Sequence, residues 1–216
     1  MRVLRIGVFD SGRGGEFIAE GLKKLLPEYD FMVVNDRENV PYGSRIDAEV
    51  TDLTDAAIQP LIAAGCPIIV IACNTATLAG IGVLRARYPS VQFVGIEPMI
   101  KPASASSKTQ RVTVLATPLT LQSARYRQLV SEYGNQLVID EPNAAGWAAA
   151  IEAGRLDAIS FNEVRESTKN GSDTIILACT HYLALRSRLR KAFPQVTILE
   201  PTEAIARRIS ALLVRQ

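Results

Sequence analysis

The chain has 216 residues, a formal charge of +2, 48% hydrophobic and 21% charged residues, the proportions of a soluble globular protein with one core or two small ones. The near-balanced charge argues against a nucleic-acid or polybasic membrane partner, and no stretch reaches the roughly 18 uninterrupted apolar residues of a membrane helix. Three cysteines, an odd number, with no export signal argue against a disulfide framework and for a reducing cytoplasm. In chain order, the first element is the apolar run Leu4–Phe9, which ends in Asp10 and reads as a buried strand, not a signal peptide. Further strand candidates are Phe31–Asn35, Ile68–Ala72, Val91–Ile96, Val112–Ala116, Gln136–Asp140, Thr174–Ala178 and Val196–Leu199. Between them Glu16–Leu26, Asp47–Ala64 and Thr120–Tyr133 carry apolar residues at the three- and four-residue spacing of helices packed on one face. Strands apolar on both faces that alternate with helices predict parallel sheets under helical layers, an α/β fold.

The two halves are also similar to each other. Ile68-Ile-Val-Ile-Ala-Cys73-Asn-Thr-Ala76 is echoed 106 residues later by Thr174-Ile-Ile-Leu-Ala-Cys179-Thr-His-Tyr182, and the same shift carries Ser11 to Thr117. Ile96-Glu97-Pro98 is echoed by Leu199-Glu200-Pro201, and Phe31–Asp36 loosely by Gln136–Glu141. These matches predict two copies of one α/β unit, residues 1–98 and 99–200, related by a pseudo-twofold axis with the active site in the cleft between them. The helical tail 201–216 is expected to pack back on the first unit.

In open parallel sheets, ligands bind outside the carboxyl ends of the strands. Asp10 with Ser11, Cys73 with Asn74 and Thr75, Thr117, and Cys179 with Thr180 and His181 occupy those ends. Each cysteine is expected to open a helix, whose free N–H groups and dipole favour a small carboxylate and a thiolate. Two thiols on opposite sides of one substrate suit one reaction: a carbon acid loses its proton to one sulfur and regains it from the other, inverting the centre. Two matched thiols with the ordinary pKa of about 8.5 let both directions run. Asp10 and His181, the chain's only histidine, are placed to manage the two protons. A single cysteine after an apolar strand reads as packing, Cys66, before Pro67 at a strand entrance and without polar company, is read as packing, and Asp10 alone fits a helix cap. Two cysteines at equivalent positions, each followed by polar residues, point to chemistry. Other readings fail on particular residues. Phe17 stands where a dinucleotide loop needs its third glycine, and none of the six lysines sits at a polar strand end to anchor pyridoxal. One histidine and scattered cysteines give no metal-ligand spacing, and Ala79 and Leu185 occupy the position of a phosphatase loop's arginine.

The segments Val8-Phe-Asp-Ser-Gly-Arg-Gly-Gly15, Val40-Pro-Tyr-Gly-Ser44, Ala72-Cys-Asn-Thr-Ala76, Gly95-Ile-Glu-Pro98, Ala116-Thr-Pro-Leu-Thr120 and Ala178-Cys-Thr-His-Tyr182 together resemble glutamate racemases of the aspartate/glutamate racemase superfamily, over nearly the whole chain. The resemblance implies that Cys73 and Cys179 are the acid/bases of a small amino-acid substrate, with no cofactor or metal. It implies that Asp10 assists Cys73, that His181 assists Cys179, and that Glu152 in Ile151-Glu-Ala-Gly154 is a further catalytic acid. Substrate contacts would come from Asp10, Ser11, Pro41, Tyr42, Gly43, Asn74, Thr75, Thr117 and Thr180, and the product D-glutamate would feed bacterial peptidoglycan synthesis. This chain departs from the family pattern at Asn35-Asp-Arg-Glu-Asn39, where Gly-Asp-Thr/Ser-Ala-Arg is usual, at Arg13, and at Pro142-Asn-Ala-Ala-Gly-Trp147. Arg13 is expected to meet either a second substrate carboxylate or Glu16 in the next turn. The departures leave other readings standing: a racemase of another amino acid such as aspartate, other carbon-acid chemistry, or a ligand-binding relative with impaired catalysis. Oligomeric state is left open, a homodimer included.

Overall fold

A β-branched run with no polar face is stable only inside a sheet covered on both sides, and Ile68–Ile71 and Thr174–Leu177 are buried at every residue. The computed structural model describes residues 3–214. The chain forms two compact units, Met1–Ile96 with Pro201–Gln216, and Glu97–Glu200. In the first, β1 (Arg5–Asp10), β2 (Asp30–Asn35), β3 (Ile68–Ile71) and β4 (Gln92–Gly95) make a parallel sheet in the order β2-β1-β3-β4. Its connections hold α1 (Gly14–Leu25), α2 (Asp47–Ala57), α3 (Gln59–Ala63) and α4 (Asn74–Arg87). The second unit runs α5 (Ile100–Ser106), β5 (Arg111–Leu115), α6 (Pro118–Gln122), α7 (Ala124–Tyr133), β6 (Val138–Asp140), α8 (Trp147–Glu152), α9 (Asn162–Lys169), β7 (Thr174–Leu177), α10 (Arg186–Ala192) and β8 (Thr197–Leu199). Its sheet is also parallel, in the order β6-β5-β7-β8. All eight expected strands are present, with ends shifted by at most two residues. No described helix is long and apolar enough to cross a membrane.

The repeat extends to backbone register. Ile6 pairs with Ile68 between β1 and β3, and 106 residues later Val112 pairs with Thr174 between β5 and β7. Each ladder is extended by one more bond, Ala72 N–H to Phe9 O at 2.7 Å and Ala178 N–H to Leu115 O at 2.9 Å. The shift that relates Cys73 to Cys179 therefore also relates the backbone that delivers them. Below these ends lie the two cores. Phe9, Leu61, Ile69, Ile71 and Leu84 pack together in one, and Ile100, Val112, Val114, Tyr126, Leu129 and Ile176 in the other, each fully buried large side chain contributing about 1.5–3 kcal/mol.

Two expected helices are each broken in two. Asp47–Ala64 turns at Ile58, because Pro60 has no N–H to continue the ladder to Ala56. Thr120–Tyr133 breaks at Ser123, which is extended (φ −65°, ψ 144°) and whose Oγ accepts the Tyr126 N–H at 3.1 Å, starting α7 afresh. The last helix, α11 (Thr202–Leu213), belongs to the first unit and packs on α1. It approaches so closely that a Cβ on Gly21 would lie 2.5 Å from Thr202 Cγ2.

The loop entering β5 is fastened by Asp173, which accepts from Ser107 Oγ and Lys108 N at 2.7 Å, Thr174 Oγ1 at 2.9 Å and Thr109 N at 3.1 Å. Burial pushes this carboxyl up, but the hydrogen bonds from Ser107, Thr109, Lys108 and Thr174 outweigh it and hold the group below its ordinary value of 3.8. A depressed folded-state value stabilises the fold above the unfolded value, and that contribution is lost as pH falls through the folded one. Asp173→Ala is thus expected to cost about 1–3 kcal/mol at pH 7, seen as a lower Tm, with the gap to the parent narrowing toward pH 2. A gap independent of pH would show that the ionised carboxylate is not what fastens the loop.

Candidate active site

β1 and β3 are neighbours, so their carboxyl ends bring Asp10 and Ser11 beside Cys73. Asp10 is 0% and Cys73 6% exposed. Ser11 Oγ stands 3.2 Å from Cys73 Sγ. Cys73 is the N-cap of the 14-residue α4, and its sulfur accepts the Ala76 N–H at 3.5 Å, where the helix dipole favours thiolate over thiol. Asp10 is not a helix cap. Its Oδ2 accepts the Gly12 N–H at 2.9 Å inside the loop, and the N-cap of α1 is the exposed Arg13, whose side chain makes no capping bond. Glu16, one of the two partners expected for Arg13, is held by Arg37 and by Asn35 Nδ2 at 3.4 Å. Asn74 and Thr75 are buried in the first turn of α4, and Asn74 Oδ1 has no hydrogen-bond partner.

The Val40–Ser44 loop is organised by Asp36, a residue not anticipated from sequence. Its carboxylate accepts Tyr42 O–H at 2.7 Å and Asn39 Nδ2 at 3.0 Å on both oxygens, and its N–H bonds Asp10 O at 3.0 Å. Tyr42 is buried against Phe9, ring centres 6.4 Å apart, whereas Pro41 is exposed and Gly43 half-buried. Burial, and then the Asp36 carboxylate, push the Tyr42 phenol far above its usual range, with Cys73 adding to the effect. Tyr42 is therefore a fixed neutral donor. An acid six residues before a tyrosine was the available signal. Cys66 lies buried in the first core, as read from sequence, and burial pushes its thiol up.

In the second unit the helix expected after Cys179 is a 3-10 turn, Thr180–Leu185, and α10 starts only at Arg186. Cys179 has no backbone cap and instead a side-chain partner. Its Sγ is 3.7 Å from His181 Nδ1, and His181 Nε2 is 2.7 Å from Glu152 Oε1. Cys179 and His181 are 7% and 4% exposed. A neutral imidazole with its proton on Nε2, toward the carboxylate, presents its Nδ1 lone pair to the sulfur. Glu152 ends α8, which is pinned to the 3-10 turn by Trp147 packed edge-on against Tyr182, 5.7 Å between centres at 65°. The Tyr182 hydroxyl donates to Ala144 O at 3.2 Å, and burial, then Cys179, hold this phenol well above its usual range. Thr117 caps α6 through the Thr120 N–H at 3.3 Å, and Thr180 is buried. Ala116 occupies the repeat position of Asp10, so the groups near the two thiols differ between the units.

A family model described as Asp/Glu/Hydantoin racemase matches residues 16–209. A glutamate racemase of Herpetosiphon aurantiacus is 39% identical over 96% of this chain and 84% of its own length. One of Ectopseudomonas mendocina is 36% identical over 96% and 81%. Among solved structures, Escherichia coli glutamate racemase in complex with L-glutamate and the activator UDP-MurNAc-ala superposes with a TM-score of 0.87 at 27% identity, over 99% of this chain and 84% of that one. With two parallel four-stranded sheets and buried thiols at equivalent strand ends, the chain belongs to the Asp/Glu/Hydantoin racemase family, among its glutamate racemases, and is an isomerase.

Proposed function

We propose that this chain interconverts L- and D-glutamate without a cofactor, with Cys73 and Cys179 as the two acid/bases. One sulfur, as thiolate, takes the α-proton, and the other, as thiol, gives its proton to the opposite face. The substrate leaves inverted, and the two sulfurs have exchanged roles. The observation that carries this reading is the pair of buried thiols at repeat-equivalent strand ends, each with its own proton handler. Asp10 serves Cys73 from the end of β1. The Glu152–His181 pair serves Cys179, with the Nδ1 lone pair as general base. Ser11, Thr75, Thr117 and Thr180 offer hydroxyls to the substrate carboxylates. The unpartnered Asn74 Oδ1 suits the substrate ammonium, and Pro41, Tyr42 and Gly43 wall the site. The resemblance of the whole chain to glutamate racemases supports a cytoplasmic role in supplying D-glutamate for peptidoglycan.

L-Glutamate incubated with the folded protein in D₂O is expected to gain α-deuterium and lose its optical rotation. Unchanged glutamate would defeat the substrate assignment, and exchange into aspartate alone would transfer it to the shorter acid.

A further inference from the structure

We infer that Asn35 is a positioning residue for Asp10, holding a carbonyl ready for the proton that Asp10 carries while Cys73 is a thiolate. This rests on the roles proposed above for Asp10 and Cys73. Buried polar atoms are hydrogen-bonded almost without exception, and one left bare costs about 1–3 kcal/mol. Among the described residues, two buried side-chain atoms break the rule, Asn74 Oδ1 and Asn35 Oδ1. The first belongs with the proposed substrate contacts. The second stands at the end of β2, where the family pattern has glycine.

The orientation of the Asn35 amide is set from its other end. Nδ2 donates to Glu16 Oε1 at 3.4 Å, and Arg37 holds the same oxygen, so a reversed amide would set two negative oxygens together. The carbonyl is thereby turned toward the first turn of α1. A Cβ on Gly15 would lie 2.6 Å from Asn35 Oδ1 and 2.9 Å from Asp10 Cβ. Asn35 Oδ1 and the Asp10 side chain thus both face the same point beside Gly15, and the two residues are partners in the β1–β2 register. The titratable and charged groups on the elements around them are Arg13 and Glu16 at the start of α1, Asp36, Arg37 and Tyr42 after β2, and Cys73 after β3.

When Cys73 gives up its proton, the S–H bond breaks and an O–H bond forms on the Asp10 carboxylate. That new O–H donates to Asn35 Oδ1, and no proton passes to Asn35. The carbonyl accepts from the acid and repels the carboxylate, so it favours the thiolate–acid pair over the thiol–carboxylate pair. The acceptor that is idle in one protonation state is used in the other.

Asn35→Leu keeps the shape and removes the acceptor, and Asn35→Ala guards against a packing fault peculiar to leucine. Three readouts are compared with the parent: Tm, the pH profile of kcat/KM, and the pH dependence of Cys73 alkylation by iodoacetamide, followed by peptide mass mapping. The inference expects a Tm equal to or above the parent's, a loss of about tenfold in kcat/KM at neutral pH, and an acidic limb moved to higher pH. It expects the Cys73 alkylation midpoint to move up with it. Profiles that overlay the parent's, or a fall in Tm with both midpoints unmoved, would overturn it. If the parent racemises no amino acid, the proposed function fails instead, and the alkylation midpoint alone decides for or against the link from Asn35 to Cys73.

Discussion

Cys73→Ser and Cys179→Ser are each expected to lower racemisation by about 10²–10⁴-fold, with the fold intact. A serine hydroxyl fits either site, but its proton is held far too tightly for it to act as a base at neutral pH. Inversion needs both faces of the carbon served, so losing either sulfur stops it in both directions. A narrower activity survives: the enantiomer whose α-hydrogen meets the remaining thiolate exchanges with D₂O and returns unchanged in hand. Proton NMR follows the exchange and polarimetry the inversion. Cys66→Ala is the control, since that thiol is packed in the first core and its loss should cost stability but not turnover. Full racemisation by either serine variant would end the two-thiol mechanism.

The second large effect is expected at the proposed Glu152–His181 pair. Glu152→Gln removes a charge-assisted hydrogen bond to a buried imidazole, a loss of about 1.5–3 kcal/mol, or about ten- to a hundredfold in kcat/KM. The amide can also present its N–H to Nε2, which moves the histidine proton to Nδ1 and turns a donor toward the sulfur. His181→Asn should cost at least as much. On the proposal that Glu152 acts through His181, the double variant should be little worse than His181→Asn alone. Losses that multiply would show that Glu152 acts independently of the imidazole.

The strands were legible because each is a short run rich in apolar and β-branched residues, fully buried in β3 and β7, and the repeat was legible because Cys73 and Cys179 follow nearly identical runs. What was not legible depended on single side chains competing with a pattern. The spacing of apolar residues across Asp47–Ala64 is unbroken, yet Pro60 withholds one N–H. Ser123 reads as any helix-surface serine until its hydroxyl caps the next turn. The Glu152–His181 contact spans 29 residues, beyond any local periodicity, and only the resemblance singled out Glu152. Asp36 and Asn35 were read as the end of a strand and as a departure from a family pattern, not as site residues, and their partners, Tyr42, Glu16 and Asp10, became visible only when β2 was set beside β1.

Ala116 standing where the first unit has Asp10 has a consequence for kinetics. The two mirror-image forms of an amino acid have equal free energy in water, so the equilibrium constant between them is one. The ratio kcat/KM must then be identical forward and backward at every pH, however unlike the carboxylate proposed for Cys73 and the imidazole–carboxylate relay proposed for Cys179. Weakening a single handler slows both directions by the same factor. Its identity can surface only where kcat and KM rise or fall together for one enantiomer and not for its mirror image.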